Sequence, residues 1–323
     1  MSAQSSVTIS GGIQYGASRN AAGVTSYGAL KGDRNFLNFG GTEDLGGGMT
    51  ATFQLQMRFR SETGRAGTYM NTDGTATTTE RNLMEQANIG LNHRQFGSLR
   101  LGRFTNILST AFPHNLMEDS GNGAGTTSQY GRLSGQAQYA SPTVSGFQYV
   151  YLNAQRALNT TSTVAGNGFG TGTLNNATQS LVAHTVRYTN GPINFAVAMI
   201  DGLQGERSTH FGGTYDLGGG IKLALGQFRQ QDRVATASNS QEKHNNTSAG
   251  VEYKTGPWTT ALMVSQASEK IVSTDVGKKK QVGLKAYYAL SKRTSIDFEA
   301  SNTSNSAAAS NGTAYYAGIR HNF

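Results

Sequence analysis

Strict alternation of apolar and polar residues constrains the fold of this chain more than any other feature of its sequence. In the segment MTATFQLQMRFR (residues 49–60), the odd-numbered positions from 51 to 59 are apolar and the even-numbered positions from 52 to 60 are polar. The same period recurs in residues 193–199, 282–290 and 315–323. A period of two is that of a β-strand with one apolar and one polar face. Because helical periodicity is essentially absent, the sequence predicts an all-β fold.

Two kinds of connection separate the predicted strands, and they alternate along the chain. Seven are short and turn-like, and eight are long and rich in Gly, Thr, Asn and Ser. Because the two kinds alternate, they predict sixteen strands with both termini at the end of the sheet that carries the short turns. Short turns at one end and long loops at the other are typical of outer-membrane barrels. The short turns are predicted at 44–48, 94–97, 141–143, 190–192, 216–220, 256–257 and 291–293, and the long loops at 17–33, 61–80, 105–131, 158–178, 202–207, 231–246, 270–278 and 303–312.

The apolar face of these strands is predicted to face lipid. A soluble β-sandwich would also alternate, but the predicted strands run to about nine to twelve residues, the length that crosses a bilayer at a tilt. Aromatic residues on the apolar side also gather beside the short turns, where an interfacial girdle belongs. These aromatic residues are Tyr139, Phe147, Tyr188, Tyr215, Tyr253, Trp258, Tyr288 and Phe323. We therefore expect one closed, antiparallel transmembrane β-barrel over residues 1–323, with polar side chains lining a watery lumen.

Composition excludes several other classes of protein. The chain has no Cys, so a disulfide scaffold, a thiolate metal site and a cysteine nucleophile are impossible. Its longest purely apolar run, Phe195–Ile200, is far shorter than the roughly 20 residues of a membrane-spanning helix. Residues Met1–Gln4 have neither the basic region nor the apolar stretch of a signal peptide, and we interpret them as a mature start with an added initiator Met.

Catalytic and nucleic-acid functions are only weakly indicated by the sequence. The chain has no G-x-S-x-G, H-E-x-x-H or P-loop motif, and its six histidines are scattered. Its formal net charge of +8 is spread over strands and loops rather than gathered into a patch with exposed aromatics. We expect no enzyme, no metal, no cofactor and no nucleic-acid partner, and we keep an outer-membrane lipid hydrolase as an alternative.

The polar face of the predicted strands carries more cations than acids. A pore whose lining carries more Arg and Lys than Asp and Glu favours anions. The cations at the alternate strand positions predicted to face the lumen are Arg58, Arg60, Arg100, Arg187, Lys222, Lys254, Lys285 and Arg320. The clearest acids at such positions are Glu252, Asp297 and Glu299.

Short motifs along the whole chain resemble those of the Gram-negative general-diffusion porins, in particular the branch common in β-proteobacteria. They are Ser6–Ile9, Gly41–Gly48, Ala87–Leu91, Phe96–Arg103, Tyr139–Pro142 and Gly318–Phe323. The resemblance implies a sixteen-stranded homotrimer whose third long loop, residues 105–131, folds into the barrel as a constriction. It also makes the terminal Phe323 a signal for outer-membrane assembly. Where related porins often have Arg, this chain has Phe36 and Glu85, so we expect a partial arginine cluster.

The resemblance adds residues to the predicted constriction. Arg132 stands where the family carries a wall arginine that faces the narrowest part of the pore, and Arg103 matches the family's Gly–Arg pair. Glu118 and Asp119 on the third loop would oppose the wall arginines. The expected result is a transverse field across the neck of the pore.

These features predict a porin in the outer membrane of a Gram-negative bacterium, passing small hydrophilic solutes and ions by passive diffusion with moderate anion preference. Two alternatives stay open: a substrate-specific channel with a saturable site for a small carboxylate, and an adhesin or purely structural barrel. The expected partners are two further copies of the chain, small hydrophilic and mainly anionic solutes, and outer-membrane lipid. The run Lys278–Lys280 is expected to contact lipopolysaccharide phosphates.

Overall fold

The described part of the computed structural model is built almost entirely of β-strands. It comprises residues 5–29, 35–64, 84–105, 107, 115–117, 132–156, 162–165, 171–174, 179–201, 207–231, 242–271, 274–305 and 311–323. Within these residues the strands are β1 (Ser5–Arg19), β2 (Thr25–Gly28), β3 (Phe36–Gly46), β4 (Met49–Arg58), β5 (Met84–His93), β6 (Gly97–Thr105), β7 (Arg132–Ala140), β8 (Phe147–Arg156), β9 (Ser162–Ala165), β10 (Thr171–Leu174), β11 (Gln179–Asn190), β12 (Ile193–Asp201), β13 (Arg207–Gly218), β14 (Ile221–Gln231), β15 (Glu242–Thr255), β16 (Trp258–Ile271), β17 (Thr274–Ala289), β18 (Thr294–Asn305) and β19 (Gly312–Asn322).

Sixteen long strands of the described chain close into one antiparallel barrel. Each pairs with its neighbour along the chain, β8 pairs with β11, and β1 pairs with both β3 and β19 to close the sheet. The predicted fold is therefore confirmed. Two features add to it: the short β2 pairs with the upper end of β1, and β9 and β10 form a separate hairpin within the loop between β8 and β11.

All seven predicted short turns connect neighbouring strands. The two DLGGG turns are near copies of each other, since Asp44 and Asp216 each accept a hydrogen bond from the backbone N–H two residues later, at 2.9 and 2.8 Å. Gly46–Gly48 and Gly218–Gly220 all have φ between 61° and 85°. Only Gly adopts this region without strain, so the glycine triplets fix these turns.

The apolar parity faces outward, as expected for strands that meet lipid. In β12, buried residues alternate with more exposed ones, and Met199 is 65% exposed. Beside the short turns the outward aromatic rings touch one another, with ring centroids 4.5 Å apart for Phe147 and Tyr188 and 4.8 Å apart for Trp258 and Tyr288. Among the described residues, no helix is both long enough and apolar enough to cross a membrane.

The inner face is not polar throughout, which differs from the prediction. The inward positions of β8, β11 and β12 carry a buried apolar cluster that includes Leu152, Leu181 and Ile200, and Ile107 at the start of the third loop packs against it. This loop also supplies Leu116 and Met117, which are buried against the inner wall of β14 and β16. The third loop therefore folds into the barrel, and the inner wall is apolar where the loop covers it.

Two glycines make room for this loop on the inner wall. A Cβ atom at Gly250 would lie 3.1 Å from Leu116 Cδ1, and one at Gly283 would lie 2.9 Å from Met117 Cε. The backbone N–H of Leu116 also donates to Met263 Sδ at 3.3 Å. The loop is thus seated in a specific recess rather than resting on a flat wall.

Candidate functional site: the barrel lumen

One side of the lumen, which we name the arginine wall, is the inner face of β3–β6 around Arg58 and Arg100. Arg100 donates from Nε to Asn88 Oδ1 at 2.8 Å and from Nη2 to Gln54 Oε1 at 2.7 Å. Its guanidinium also lies over the ring of Phe104, with Cζ 4.4 Å from the centroid. Among the described residues, all of these partners are neutral. The positive charge of Arg100 is therefore held in place without being compensated by an acid.

Side-chain amides continue this wall on either side of Arg100. Gln54 donates to Asn38 at 2.8 Å, so its carbonyl oxygen is turned towards Arg100. Higher on the same strands, Gln86 donates to Gln56 at 3.1 Å and accepts from the backbone N–H of Thr105 at 3.2 Å. These bonds fix the amide orientations and tie the end of β6 to the wall just before the chain enters the third loop.

Arg58 lies on the same inner face as Arg100. It pairs in register with Phe36, and Phe36 pairs with the inward Gly12. Arg58 is only 5% exposed. The inner parity of both arginines follows from continuous strand pairing across β1, β3, β4, β5 and β6.

The opposite side, which we name the ion-paired wall, is the part of the inner face of β14–β19 around Glu252 and Asp297; Lys254 and Lys279 have the same inward parity but lie nearer the ends of β15 and β17, outside this wall. It carries three cations, two carboxylates that contact them, and a third carboxylate, Glu299, that accepts a hydrogen bond from Tyr287. Lys222 and Lys285 lie 3.4 and 3.6 Å from the two carboxylate oxygens of Glu252. Arg320 Nε lies 3.5 Å from Asp297 Oδ2. Charge on this wall is therefore balanced locally.

Tyr287 lies between the Lys222–Glu252–Lys285 group and the Arg320–Asp297 pair of this wall. Its ring lies 4.7 Å from Lys285 Nζ and 5.1 Å from Arg320 Cζ, and its hydroxyl donates to Glu299 at 2.7 Å. Across the barrel seam, Gln14 on β1 donates to Asp297 at 2.9 Å. The result is one connected polar network from Lys222 on β14 round to Gln14 on β1.

Three further predicted lumen cations lie apart from both walls. Arg187 on β11 pairs in register with Gln148 and Ala196, and no described residue forms an ion pair or hydrogen bond with its side chain. Lys254 is exposed beside the turn between β15 and β16, and Arg60 follows the end of β4. The described contacts do not bring these three residues into either wall.

Arg103 is not brought into the arginine wall. It pairs in register with Ala87, which puts it on the same outward face as Leu101 and Ile89. Its guanidinium lies 3.9 Å from Glu85 and 3.0 Å from the hydroxyl of Ser134. Beside Arg103, β7 contains a β-bulge in which Gly135 has a φ of 62°, and a bulge of this kind bends the strand. Strict alternation in the sequence does not predict such a bulge.

The predicted constriction is only partly within the described residues. Arg132 begins β7 and its backbone pairs with Thr105, but its side chain lies outside the described part of the structure. Glu118 and Asp119 also lie outside the described residues. Their approach to the wall arginines therefore stays a prediction.

The C-terminal residue closes the barrel seam. Phe323 exchanges backbone hydrogen bonds with Gly11 at 3.0 Å in both directions. A Cβ atom at Gly11 would collide with the Phe323 ring. A terminal Phe with a Gly opposite it is thus a structural element of the seam, whatever further role it has in assembly.

Sequence reasoning missed several residues that shape the lumen. Phe104 was missed because it occupies an inward position of β6, where the alternation predicts a polar side chain. Its side chain is instead apolar and fully buried. Gln54, Asn88 and Tyr287 matter through partners on neighbouring strands, which only the register identifies. Among the described residues, no group of three or more His, Cys, Asp or Glu side chains could hold a metal ion.

Comparison with known proteins agrees with this architecture. The family model described as Gram-negative porin matches residues 1–308. An outer membrane porin protein of Bordetella pertussis is 33% identical over 227 residues, covering 64% of this chain and 55% of that protein, so the match spans about half of the relative's length.

Solved structures show the same fold. An anion-selective porin from Comamonas acidovorans has a TM-score of 0.72 at 22% identity, covering 99% of this chain and 100% of that one. A loop-deletion mutant of OmpT, an outer membrane protein of Vibrio cholerae, has a TM-score of 0.74 at 11% identity, covering 99% of each chain. The closed sixteen-stranded barrel, the infolded third loop and the match over nearly the whole sequence lead to one conclusion: the chain is an outer-membrane protein that belongs to the Gram-negative porin family.

Proposed function

We propose that this protein is a passive diffusion channel for small hydrophilic solutes and ions, with moderate anion preference. The observation that carries the proposal is the contrast between the two walls. Arg100 is held by neutral groups only, whereas the cations of the ion-paired wall each have a carboxylate partner. Membership of a porin family favours a channel over an enzyme.

The arginine wall favours anions because its charge is fixed and available. A guanidinium has five N–H donors and stays charged at any relevant pH. Arg100 uses two of its donors on Asn88 and Gln54, which leaves three for water or a passing anion. Screening acts over about 8–10 Å at physiological salt, a distance comparable with a porin neck, so the preference is moderate and salt-dependent.

The loop at 105–131 acts as the constriction in this proposal, within a single barrel domain over residues 1–323. Support comes from its two inner-wall contacts, Ile107 on one side and Leu116 with Met117 on the other. Arg132 at the loop's end joins the wall arginines, and Glu118 with Asp119 softens their field from the loop side. The remaining lumen charges, Arg60, Arg187 and Lys254, tune the vestibules on either side.

The proposed assembly is a homotrimer in contact with lipopolysaccharide. Outward positions 41 and 317 are small, as close packing between barrels allows. An Arg103–Glu85 pair on the outward face of β5 and β6 would be costly in hydrocarbon and favours cover by protein. Cross-linked detergent-solubilised protein should migrate as a trimer, and migration as a monomer alone would contradict this assembly.

Planar-bilayer recording in a KCl gradient tests the proposed function. The expected result is stepwise conductance with a reversal potential of anionic sign, moved towards cations by Arg100→Ala. Absence of conductance would overturn the proposal and favour a structural barrel. A transient, concentration-dependent block of single-channel current by a small carboxylate would instead favour the substrate-specific alternative.

A further inference from the structure

A pocket of about 300 Å³ lies at the end of the lumen that carries the short turns. The turns that join β3 to β4, β5 to β6 and β7 to β8 bound it through Gly48, Gly97 and Ser141. We name it the turn pocket. The short turns of outer-membrane barrels face the periplasm, so a solute that has passed the constriction meets this pocket as it leaves the pore.

The three turns are fixed to one another, which makes the turn pocket a preformed site. The backbone N–H of Arg94 donates to Gly48 O at 3.4 Å, which ties the second turn to the first. A Cβ atom at Gly97 would collide with Ala140 O, so only glycine allows the second turn to approach the third this closely. A site that is already rigid loses little conformational freedom when a solute binds.

The floor of the turn pocket is a row of neutral side chains that face the lumen. Thr50, Asn92 and Ser98 are paired in register across β4, β5 and β6. Neighbouring members of such a row are about 5 Å apart. Ser98 precedes Arg100 by two residues on the same strand, so the row has the same inward parity as the arginine wall.

These side chains keep part of their hydrogen-bonding capacity unused. Asn92 donates to the Thr50 hydroxyl at 3.4 Å, and Gln148 donates to Ser141 O at 3.0 Å. Among the described residues, no partner takes up the side-chain carbonyl oxygens of Asn92 and Gln148 or the hydroxyl of Ser98. The pocket therefore offers amide and hydroxyl groups to a polar solute.

An aromatic ring forms one edge of the turn pocket. The His93 imidazole lines the pocket and is stacked on Phe96, with ring centroids 4.5 Å apart. Its Nδ1 accepts a hydrogen bond from the backbone N–H of Gln95 at 3.1 Å. In the neutral ring Nε2 therefore carries the proton and can donate to a solute.

Arg94 gives the turn pocket a positive charge. Its side chain is exposed and forms no ion pair or hydrogen bond with any described residue. No acid is among the described residues that line the pocket. Asp44, on the neighbouring turn, accepts the N–H of Gly46 at 2.9 Å and so is turned into its own loop. Arg187, in register with Gln148, adds positive charge beside the pocket without lining it.

This combination selects a solute that has several hydroxyls and one anionic group. Sugar hydroxyls donate and accept hydrogen bonds, as amide and hydroxyl side chains require, and a carboxylate or phosphate pairs with a guanidinium. Small-molecule sites measure about 300–1,000 Å³, so a pocket at the lower end suits one sugar ring. We propose that the turn pocket binds a monosaccharide carrying one carboxylate or phosphate group. The anionic group lies on Arg94, and the hydroxyls lie on Asn92, Ser98 and Gln148. The proposal names a class of solute for the proposed channel and rests on that function for delivery of the solute.

A matched pair of solutes tests the sugar class. Glucuronate and cyclohexanecarboxylate have the same ring size and charge, but only glucuronate has hydroxyls. Ligand-detected NMR titration of the full-length barrel in detergent should give at least about tenfold tighter binding of glucuronate, because each hydrogen bond to a neutral partner contributes about fivefold. Equal binding of the two would show a site for charge alone and would overturn the proposal.

Further solutes identify the anionic group. Glucose 6-phosphate replaces the carboxylate by a phosphate, and neutral glucose removes the charge. Binding of either sugar anion supports the proposal, and the tighter one identifies the preferred group. Neutral glucose should bind about tenfold more weakly than that anion. Binding of neither sugar anion would overturn the proposal.

Two double variants test the floor of the pocket. Asn92→Leu/Ser98→Ala should lower the affinity for the sugar anion by about tenfold. The control Asn194→Leu/Thr214→Ala also removes an amide and a hydroxyl that are paired in register on the inner face near the short turns, and it should change affinity by less than about twofold. Equal losses in both variants would contradict the assignment of this site.

A charge variant separates this site from the channel function. Arg94→Gln should lower the affinity for the sugar anion by about tenfold and leave glucose unaffected, whereas Arg293→Gln, on another exposed short turn, should change neither. An equal effect of Arg293→Gln would overturn the role of Arg94. Absence of conductance in the wild type, with sugar-anion binding intact, would refute the channel function and not this site.

Discussion

Two regions of the same lumen hold their cations in different ways. On the arginine wall, Arg100 is fixed by two amide oxygens and one aromatic ring. On the ion-paired wall, Lys285 and Arg320 are fixed by carboxylates, and Tyr287 lies between them. Both walls position their charges, but only the first leaves a charge uncompensated among the described residues.

The difference shows that a count of lumen cations does not measure the field in the pore. An amide partner orients a guanidinium and leaves its charge in place, whereas a carboxylate partner orients a cation and cancels its charge at distances beyond the pair. The ion-paired wall therefore contributes shape and hydrogen-bonding groups to the lumen, and the arginine wall contributes the net field.

Reversing the charge on the arginine wall should have the largest effect. Arg100→Glu changes the local charge by two units, and at about 7 Å with partial screening each unit alters the anion-to-cation permeability ratio by about threefold. The ratio should therefore fall about tenfold, measured from the reversal potential in a KCl gradient. Lys292→Glu makes the same charge change on an exposed short turn, and an equal shift there would break the distinction between the walls.

Removing the shared acid should turn the ion-paired wall into a second source of anion preference. Glu252→Gln leaves Lys222 and Lys285 without the carboxylate that both contact. We expect the permeability ratio to rise by about threefold. Glu43→Gln is the matched control, since it loses the same charge from an exposed position with outward parity. An unchanged ratio in Glu252→Gln would show that Glu252 does not neutralise the charges of Lys222 and Lys285 in the pore.

Loosening Arg100 without removing its charge should have a smaller effect. Phe104→Leu keeps the site apolar but removes the ring beneath the guanidinium, an interaction of about 0.5–1 kcal/mol. The permeability ratio should fall by less than about twofold and the open-channel current should become noisier. Phe96→Leu, on an exposed turn, should leave both quantities unchanged. A loss as large as that of Arg100→Glu would mean that Phe104 holds the constriction itself.

Removing one cation and one acid together should have the smallest effect. Glu252→Gln/Lys285→Gln leaves the net charge of the ion-paired wall unchanged, so the permeability ratio should stay within about 1.5-fold of the wild type. Heat-modified migration in gels checks that the barrel still folds. A large shift in the ratio, with folding intact, would show that this wall acts through geometry as well as charge.

Most of the fold could be predicted because its determinants are local. A period of two and glycine-rich turns such as Asp44–Gly48 need only neighbouring residues, and these yielded the strand number and the position of every short turn. The apolar inner wall around Leu181 and Met263 escaped prediction because it depends on a distant loop segment that covers it. The extra strand β2 escaped for the same reason, since it is stabilised by pairing with β1.

The lumen charges could be assigned to a face, but their partners could not be assigned. Parity puts Lys285 and Glu252 on the inner face, yet only the register brings them within 3.6 Å across two strands. Arg103 shows the opposite case, since a family motif suggested the constriction and strand pairing puts it on the outward face. Register is a property of the whole closed sheet, so it is not visible in any single segment.

The dependence of the wild-type reversal potential on salt tests the central claim most directly. At a fixed KCl gradient, the account predicts an anionic sign at about 0.1 M, where the screening length is about 10 Å, and a preference that shrinks towards that of free ions at about 1 M, where it is about 3 Å. A cationic sign in dilute salt, or a preference that does not change with salt, would contradict an origin in the charge of Arg100 on the arginine wall.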